Sequence, residues 1–213
     1  MHNLPELLRK RLQQGLPGDV AHSKMMSYKR SSASEMRAES GSYREGAVLC
    51  LLYPDKGLWH TVLIKRPEYQ GTHSAQVAFP GGAREKDDLN LRETALREAK
   101  EEVGIDPSTI EIIAELSEIY IPPSKFLVQP VLAWTDKKPD FKADEREVAS
   151  ILETPLQWLI EPGRIREKNI YLAQYQVSIK APYYDVHEEV VWGATAMMIS
   201  ELCDLLPEEL PKP

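Results

Sequence analysis

Residues 97–105 read Arg97-Glu98-Ala99-Lys100-Glu101-Glu102-Val103-Gly104-Ile105, and fifteen positions before Arg97 stands Gly82, the last residue of Phe79-Pro80-Gly81-Gly82. These two segments decide the fold. Asn90 is a good N-cap, because its side-chain oxygen can accept from N–H groups that a helix start leaves free, and Glu93 is placed to complete a capping box. The spacing predicts a helix that starts near Leu91 and is stopped by Gly104 and then Pro107. At about 100° per residue, Leu91, Ala95, Leu96, Ala99 and Val103 share one side, and Glu98, Glu101 and Glu102 take the neighbouring side.

One face packs and the next carries acid groups. Glu98 and Glu102 lie one turn apart, where like charges surrounded only by water repel by a few tenths of a kcal/mol. A hard cation reverses that sign. Oxygen donors of this kind suit Mg²⁺ or Mn²⁺, with water and phosphate oxygens completing the coordination. Taken alone, a Glu-rich helix with Arg97 and Lys100 is usually a solvated face laced with small ion pairs. The glycine-bearing entry loop, at its spacing, points instead to a cation held against a phosphate and to hydrolysis of a diphosphate bond.

Outward from this helix, apolar β-branched runs predict strands at 47–53 and 60–64, joined by a turn at Pro54-Asp55-Lys56-Gly57. Further strands are expected within 110–121 and at 126–134, with a late pair at 171–179 and 183–186. Residues 155–160 read as a helical turn, and a last helix runs from about Ala194 to Leu206. Leu4, Leu7, Leu8 and Leu12 recur at helical spacing and predict a short amphipathic helix. The polar stretch from Gln14 to Tyr43 reads as a loop or arm. The expected organisation is an N-terminal helix and arm over 1–44, one catalytic domain over 45–206, and a tail over 207–213.

Composition sets the outer bounds. With 213 residues, 42% hydrophobic and 28% charged, the chain can bury one real core and is not of disordered type. A net charge of −7 argues against broad nucleic-acid binding, which needs surplus Lys and Arg facing phosphates. Cys50 and Cys203 each lie in an apolar stretch and read as buried free thiols of a reducing compartment. No basic leader precedes an apolar run, and no run approaches membrane-spanning length, so the expectation is a soluble cytoplasmic protein without membrane contact.

The segment from Gly82 through Asp87-Asp88 to Arg97–Ile105 resembles the Nudix box, commonly written Gly, five residues, Glu, seven residues, then Arg-Glu-U-x-Glu-Glu-x-Gly-U, with U aliphatic. Ala99 takes the first U position. The entry loop is one residue longer than the pattern and carries Asp88 in place of Glu, which is similar to the coenzyme A pyrophosphatase-like branch of the family. Val62-Leu63-Ile64-Lys65-Arg66 followed by Gln76–Gly82 resembles the signature associated with coenzyme A hydrolysis. Here Ile64 stands for its Thr, Pro67 for its Ser or Ala, Gly71 for its second Arg, and Ala75 for its Gly. Val191–Ala196 resembles the branch's C-terminal segment, so the likeness spans about 45–205.

The resemblance implies an α/β fold, the Nudix α/β/α sandwich with a mixed β-sheet, and a small-molecule nucleotide as substrate. It implies catalytic roles for Arg97, Glu98, Glu101 and Glu102, with Glu98 and Glu102 ligating Mg²⁺ or Mn²⁺ and Glu101 serving as a further metal ligand or as a water-orienting base. Gly81, Gly82 and Arg66 would face the cation and the phosphates, and Arg97 would hold Glu101. Asp144, Glu145 and Glu147 are candidates for a base supplied by another loop. His73 could meet substrate, while Phe79 and Trp192 read as packing residues. Coenzyme A or an acyl-CoA is the preferred substrate; ADP-ribose, a dinucleotide or a nucleotide sugar is the alternative. A catalytically silent nucleotide sensor is a rival of another class, against which the intact acid trio argues. A homodimer is plausible for the family.

Overall fold

The computed structural model describes residues 3–28, 31–38, 43–68, 74–172 and 175–213; Gly71 and His73 lie outside them. Three helices come first, α1 (Leu4–Leu12), α2 (Gly18–Ser23) and α3 (Ala33–Ala38). Then follow β1 (Arg44–Asp55), β2 (Leu58–Lys65), β3 (Val77–Ala78), β4 (Gly81–Ala83) and α4 (Leu91–Val103). The second half holds β5 (Glu111–Glu115), β6 (Ile119–Ile121), β7 (Phe126–Trp134), β8 (Ser150–Pro155), α5 (Leu156–Ile160), β9 (Ile165–Leu172), β10 (Val177–Val186), β11 (Glu189–Trp192) and α6 (Gly193–Leu205).

Strand β1 organises the molecule because both its faces are buried. Leu49, Leu51 and Tyr53 pack on one side with Val62, Ile64 and the Ala95, Ala99 and Val103 stripe of α4. Cys50 and Leu52 face the other side, where Leu4 and Leu8 of α1 and Met197, Met198, Ile199 and Leu202 of α6 complete a second core. The result is helix, sheet, helix. Each fully buried Leu, Ile or Met in these layers contributes about 1.5–3 kcal/mol relative to exposure. The sheet is mixed: β1 runs parallel to β7 and antiparallel to β2 and β4, while β5 and β6 flank β7 on its other edge and β8 pairs with β2. Strands β9, β10 and β11 form a separate antiparallel sheet.

The α4 caps follow the sequence closely. Asn90 Oδ1 accepts from Arg92 N and Glu93 N at 3.0 and 3.1 Å, and Gly104 closes the helix in the left-handed region at φ 73°. Glu93 bonds the N–H of Leu89 rather than that of Asn90, so the box is completed one residue further out. The turn between β1 and β2 is also tighter than the four residues expected. β1 continues through Asp55, and Lys56 and Gly57 alone make the reversal, both with positive φ, as a two-residue hairpin requires.

Two expectations are corrected. The segment 14–43 is not simply an arm, because α2 packs on α6 with Ala21, His22 and Met25 buried. Hydropathy misdirects here: Val20 is 73% exposed, whereas His22 is buried against Glu201 at 3.0 Å. Glu201 also accepts from the Ser117 hydroxyl at 2.6 Å and from Gly18 N at 3.2 Å, so one buried carboxylate ties the N-terminal segment to α6 and to the chain before β6. The late strand pair is likewise redrawn. Of the strand expected at 171–179, Tyr171 and Leu172 end β9 and Val177–Ile179 begin β10, and the second strand runs unbroken from Val177 to Val186. Its exposed, mixed composition gives no clean alternation to read.

Candidate active site

Gly81 and Gly82 lie on β4 between β1 and α4. A Cβ on Gly81 would stand 2.6 Å from Val48 Cα and closer still to the Ala47 carbonyl oxygen, so only glycine lets β4 approach β1 here. At Gly82 the added atom would meet the Glu98 carboxylate at 2.5 Å. The acid group of Glu98 therefore occupies the space a side chain would take. One glycine admits backbone, and the next admits a carboxylate.

Glu102 lies one turn on and deeper, at 1% exposure. Its Oε2 accepts from Gly81 N at 2.7 Å. Its Oε1 is buried without a hydrogen-bond partner, with Arg66 Nη2 3.5 Å away. Arg66 also donates to the Gly81 carbonyl at 3.0 Å, so the Gly81 residue is held through both its N–H and its C=O. Burial raises the Glu102 carboxyl to about 7, opposed by the Arg66 charge and the Gly81 N–H and reinforced by the charges of Glu98 and Glu147. Burial also raises Glu98, against the pull of Arg97 and with Glu101 and Glu147 adding to the rise.

Arg97 does more than the helix spacing suggests. It reaches Glu98 and Glu101 at 3.0 and 3.2 Å, as expected, but its fork is committed to Asp88, with Nε and Nη2 each 3.0 Å from a carboxylate oxygen. Nη2 donates to the Ala83 carbonyl as well. Asp88 accepts in addition from Glu85 N at 2.8 Å and from the Thr94 hydroxyl at 2.9 Å. The Arg97 hydrogen bond holds its carboxyl well below the usual carboxylate range. The Asp in the lengthened loop thus fastens that loop to α4 and orients the arginine beside Glu98. No periodic pattern announces the Asp88–Thr94 contact, since it joins a loop residue to a helix residue only after folding.

The structure brings Glu98, Glu102, Gly81, Gly82 and Arg66 together. Glu101 sits at the rim, with its side chain 58% exposed and Arg97 beside it. Of the three loop acids, Asp144 is paired to Arg146 while its N–H caps the Glu102 carbonyl at 3.0 Å. Glu147 is the one whose charge acts on both Glu98 and Glu102. Among the described residues no three acidic, His or Cys side chains form a ready-made metal cage. The donor set nevertheless fits a hard divalent cation, because a buried carboxylate oxygen lacks a hydrogen bond and a second carboxylate is seated in the space above Gly82.

Gly81, Gly82 and Arg66 also wall a cleft of 1380 Å³, which Glu98, Glu101 and Glu102 do not line. Its apolar wall includes Val48, Phe79, Phe126 and Met198, and the second sheet covers it with Ile170, Tyr171 and Trp192. Trp192 therefore serves this hollow as well as packing. Arg44 lies over the Phe126 ring at 4.1 Å, and Lys168 joins Arg44 and Arg66 as a third basic group of the wall. Cys50 and Cys203 are free thiols, and burial pushes both up, Cys203 to about 12. No helix among the described residues is long and apolar enough to cross a membrane.

A family model described as the NUDIX domain matches residues 43–174. The protein named Uncharacterized Nudix hydrolase NudL from Escherichia coli strain SMS-3-5 is 34% identical over 170 residues, covering 79% of this chain and 85% of that protein. The NudL of Shigella boydii serotype 4 strain Sb227 shows the same identity and coverage. Among solved structures, the MutT/nudix family protein from Enterococcus faecalis aligns with a TM-score of 0.53 at 15% identity, covering 84% of this chain and 71% of that one, a likeness of fold.

Proposed function

The chain belongs to the Nudix hydrolase family, and from that premise we propose that it uses Mg²⁺ or Mn²⁺ to hydrolyse the diphosphate bond of a nucleoside diphosphate derivative, with coenzyme A or an acyl-CoA preferred. The observation that carries this reading is the pair of carboxylates against Gly81 and Gly82, Glu98 half-buried and Glu102 buried, one of whose oxygens has no hydrogen-bond partner. Glu98 and Glu102 would hold the cation, and Glu101 would add a rim oxygen. A diphosphate resists attack because its oxygens are already anionic; a cation bound here supplies charge neutralisation and acidifies water.

The chain's own residues do the rest. Arg97, anchored on Asp88, fixes the Glu98 carboxylate in place. Glu147, whose charge is felt by both ligating acids, orients water and takes its proton. Arg66, at the wall between acids and cleft, offers N–H donors to the diphosphate. The apolar wall excludes bulk water and receives the pantetheine arm.

Support for coenzyme A comes from the cleft and the matching part of the signature. A hollow of 1380 Å³ exceeds that of an ordinary small-ligand pocket, and it joins an apolar wall to the basic Arg44 and Lys168, as a long, partly apolar polyanion requires. Ile64, Pro67, Gly71 and Ala75 depart from that signature and favour, as second reading, ADP-ribose, a dinucleotide or a nucleotide sugar. A substrate panel with Mg²⁺ and Mn²⁺, read by mass spectrometry, separates them. Phosphopantetheine and an adenosine bisphosphate from coenzyme A, at the highest kcat/KM of the panel, are expected. Faster cleavage of ADP-ribose or a dinucleotide overturns the substrate, and no cleavage of any member overturns the reaction.

A further inference from the structure

Arg66 stands between two environments. Inward, it is the cation paired with Glu102 among the described residues and a donor to the Gly81 carbonyl; outward, it lines the cleft. Its grip on Glu102 is loose. At 3.5 Å, Nη2 is too far from Oε1 for the short bond that a guanidinium normally makes to a carboxylate, whereas Arg97 forms two such bonds to Asp88 at 3.0 Å. The Arg66 side chain keeps 28% of its surface exposed, and Glu102 keeps 1%. A buried carboxylate needs a positive partner, and the one supplied is partly in solvent and incompletely bonded.

We propose that Arg66 is a stand-in for the catalytic cation: it balances Glu102 before the metal loads, is displaced when the metal takes Oε1, and then turns its fork to the diphosphate in the cleft. This rests on the reading of Glu98 and Glu102 as cation ligands. Two positive groups cannot share one buried oxygen without strong repulsion, so occupation by the metal expels the guanidinium from Oε1. The long, flexible stem lets the head move while the Arg66 backbone N–H stays bonded to the Gln76 carbonyl at 3.0 Å. The planar fork that fits a carboxylate poorly here fits phosphate oxygens well. Arg66 is thus a positioning residue before loading and a substrate contact after it, and metal loading precedes productive substrate binding.

Thermal melts of wild type, R66A and R66Q, without substrate, test this in EDTA and in saturating Mn²⁺. In EDTA both variants should melt lower than wild type by roughly 5 °C. In Mn²⁺ the gap should close to within about 1 °C, because the metal has taken over the charge. A role limited to bracing the Gly81 carbonyl predicts the same gap in both buffers, and that outcome overturns the proposal. R66K, which keeps the charge, should show a smaller EDTA deficit and covers the case in which the neutral variants fold poorly; an R66K deficit that Mn²⁺ leaves unchanged also counts against it. A wild type whose melting point ignores Mn²⁺ removes the cation site itself, and with it this inference. The second half is read by calorimetry with methylenediphosphonate in Mg²⁺. R66A and R66Q should bind it about tenfold more weakly than wild type, since a charge-assisted contact is lost. Equal affinity refutes the handover.

Discussion

Alanine at Gly81 and at Gly82 should separate architecture from chemistry within two adjacent residues. At Gly81 the new Cβ would stand 2.6 Å from Val48 Cα, and the neighbours it meets on β1 include backbone that cannot move aside. β4 must then back away from β1, loosening the Ala47↔Gly82 and Val48↔Gly81 pairing and the Leu49 N–H···O bond to Pro80 at 2.8 Å. Overpacking of about 1–3 kcal/mol, together with one or two hydrogen bonds at about 1 kcal/mol each, brings the cost to roughly 2–5 kcal/mol. For a chain of this size that is a fall of roughly 10 °C in Tm. At Gly82 the atoms the new Cβ meets first belong to the carboxylate end of Glu98, which can swing away. A displaced rotamer costs about 0.5–1.5 kcal/mol, so Tm should fall by no more than about 5 °C. Yet Glu98 then leaves its seat, and loss of a ligand's position should lower kcat about 100-fold. Differential scanning fluorimetry in EDTA, beside initial rates in Mg²⁺, reads both quantities. A G82A protein that melts as early as G81A, or one that keeps wild-type turnover, shows that Glu98 is not seated over Gly82 for the reaction.

Glu102→Gln tests the cost of the buried acid. Because burial raises the Glu102 carboxyl from 4.5 to about 7, folding favours its neutral form, and metal-free wild type should lose stability relative to E102Q as pH rises from 4.5 to 7. The difference should level off near about 3 kcal/mol above pH 7; urea melts in EDTA that show a pH-independent difference contradict this. Asp88 behaves in the opposite sense. Its carboxyl lies below the usual range, so its contribution is present at neutral pH and is lost on acidification. D88N should be destabilised by about 1.5–3 kcal/mol at pH 7, with the gap to wild type narrowing below about pH 4 in the same assay. Replacing Glu201 by Ala strands His22, the Ser117 hydroxyl and the Gly18 N–H, and should cost about 3–5 kcal/mol. Limited proteolysis should then cut before residue 43 faster than in wild type; an unchanged digestion rate means the carboxylate does not hold that segment. Glu147→Gln should lower kcat without lowering Mn²⁺ affinity measured by calorimetry, and full activity assigns the base elsewhere.

Much of the molecule follows from local rules that act along the chain. The cap at Asn90, the stop at Gly104 and the apolar stripe through Ala95, Ala99 and Val103 determine α4 without reference to anything distant, because helix periodicity and end satisfaction are local properties. The runs that become β1, β2 and β7 are legible for the same reason, as is the adjacency of Glu98 and Glu102 on one helical face. Which acid is buried, however, is a property of layers that meet only in three dimensions. Glu102 is deeply buried and Glu101 mostly exposed although the two are neighbours in sequence, because β4 lies over one side of α4 and solvent over the other. The hold of Asp88 on Arg97, the field of Glu147 on both acids, and the burial of His22 against Glu201 join residues 9, 45, 49 and 179 positions apart. Such contacts leave no periodic trace, since an ion pair between distant segments constrains neither segment's own hydropathy pattern. The chain alone determined which elements form and which residue types the reaction has at hand. Tertiary packing decided which of those acids loses its water, and desolvation is what turns an ordinary carboxylate into a place for a cation.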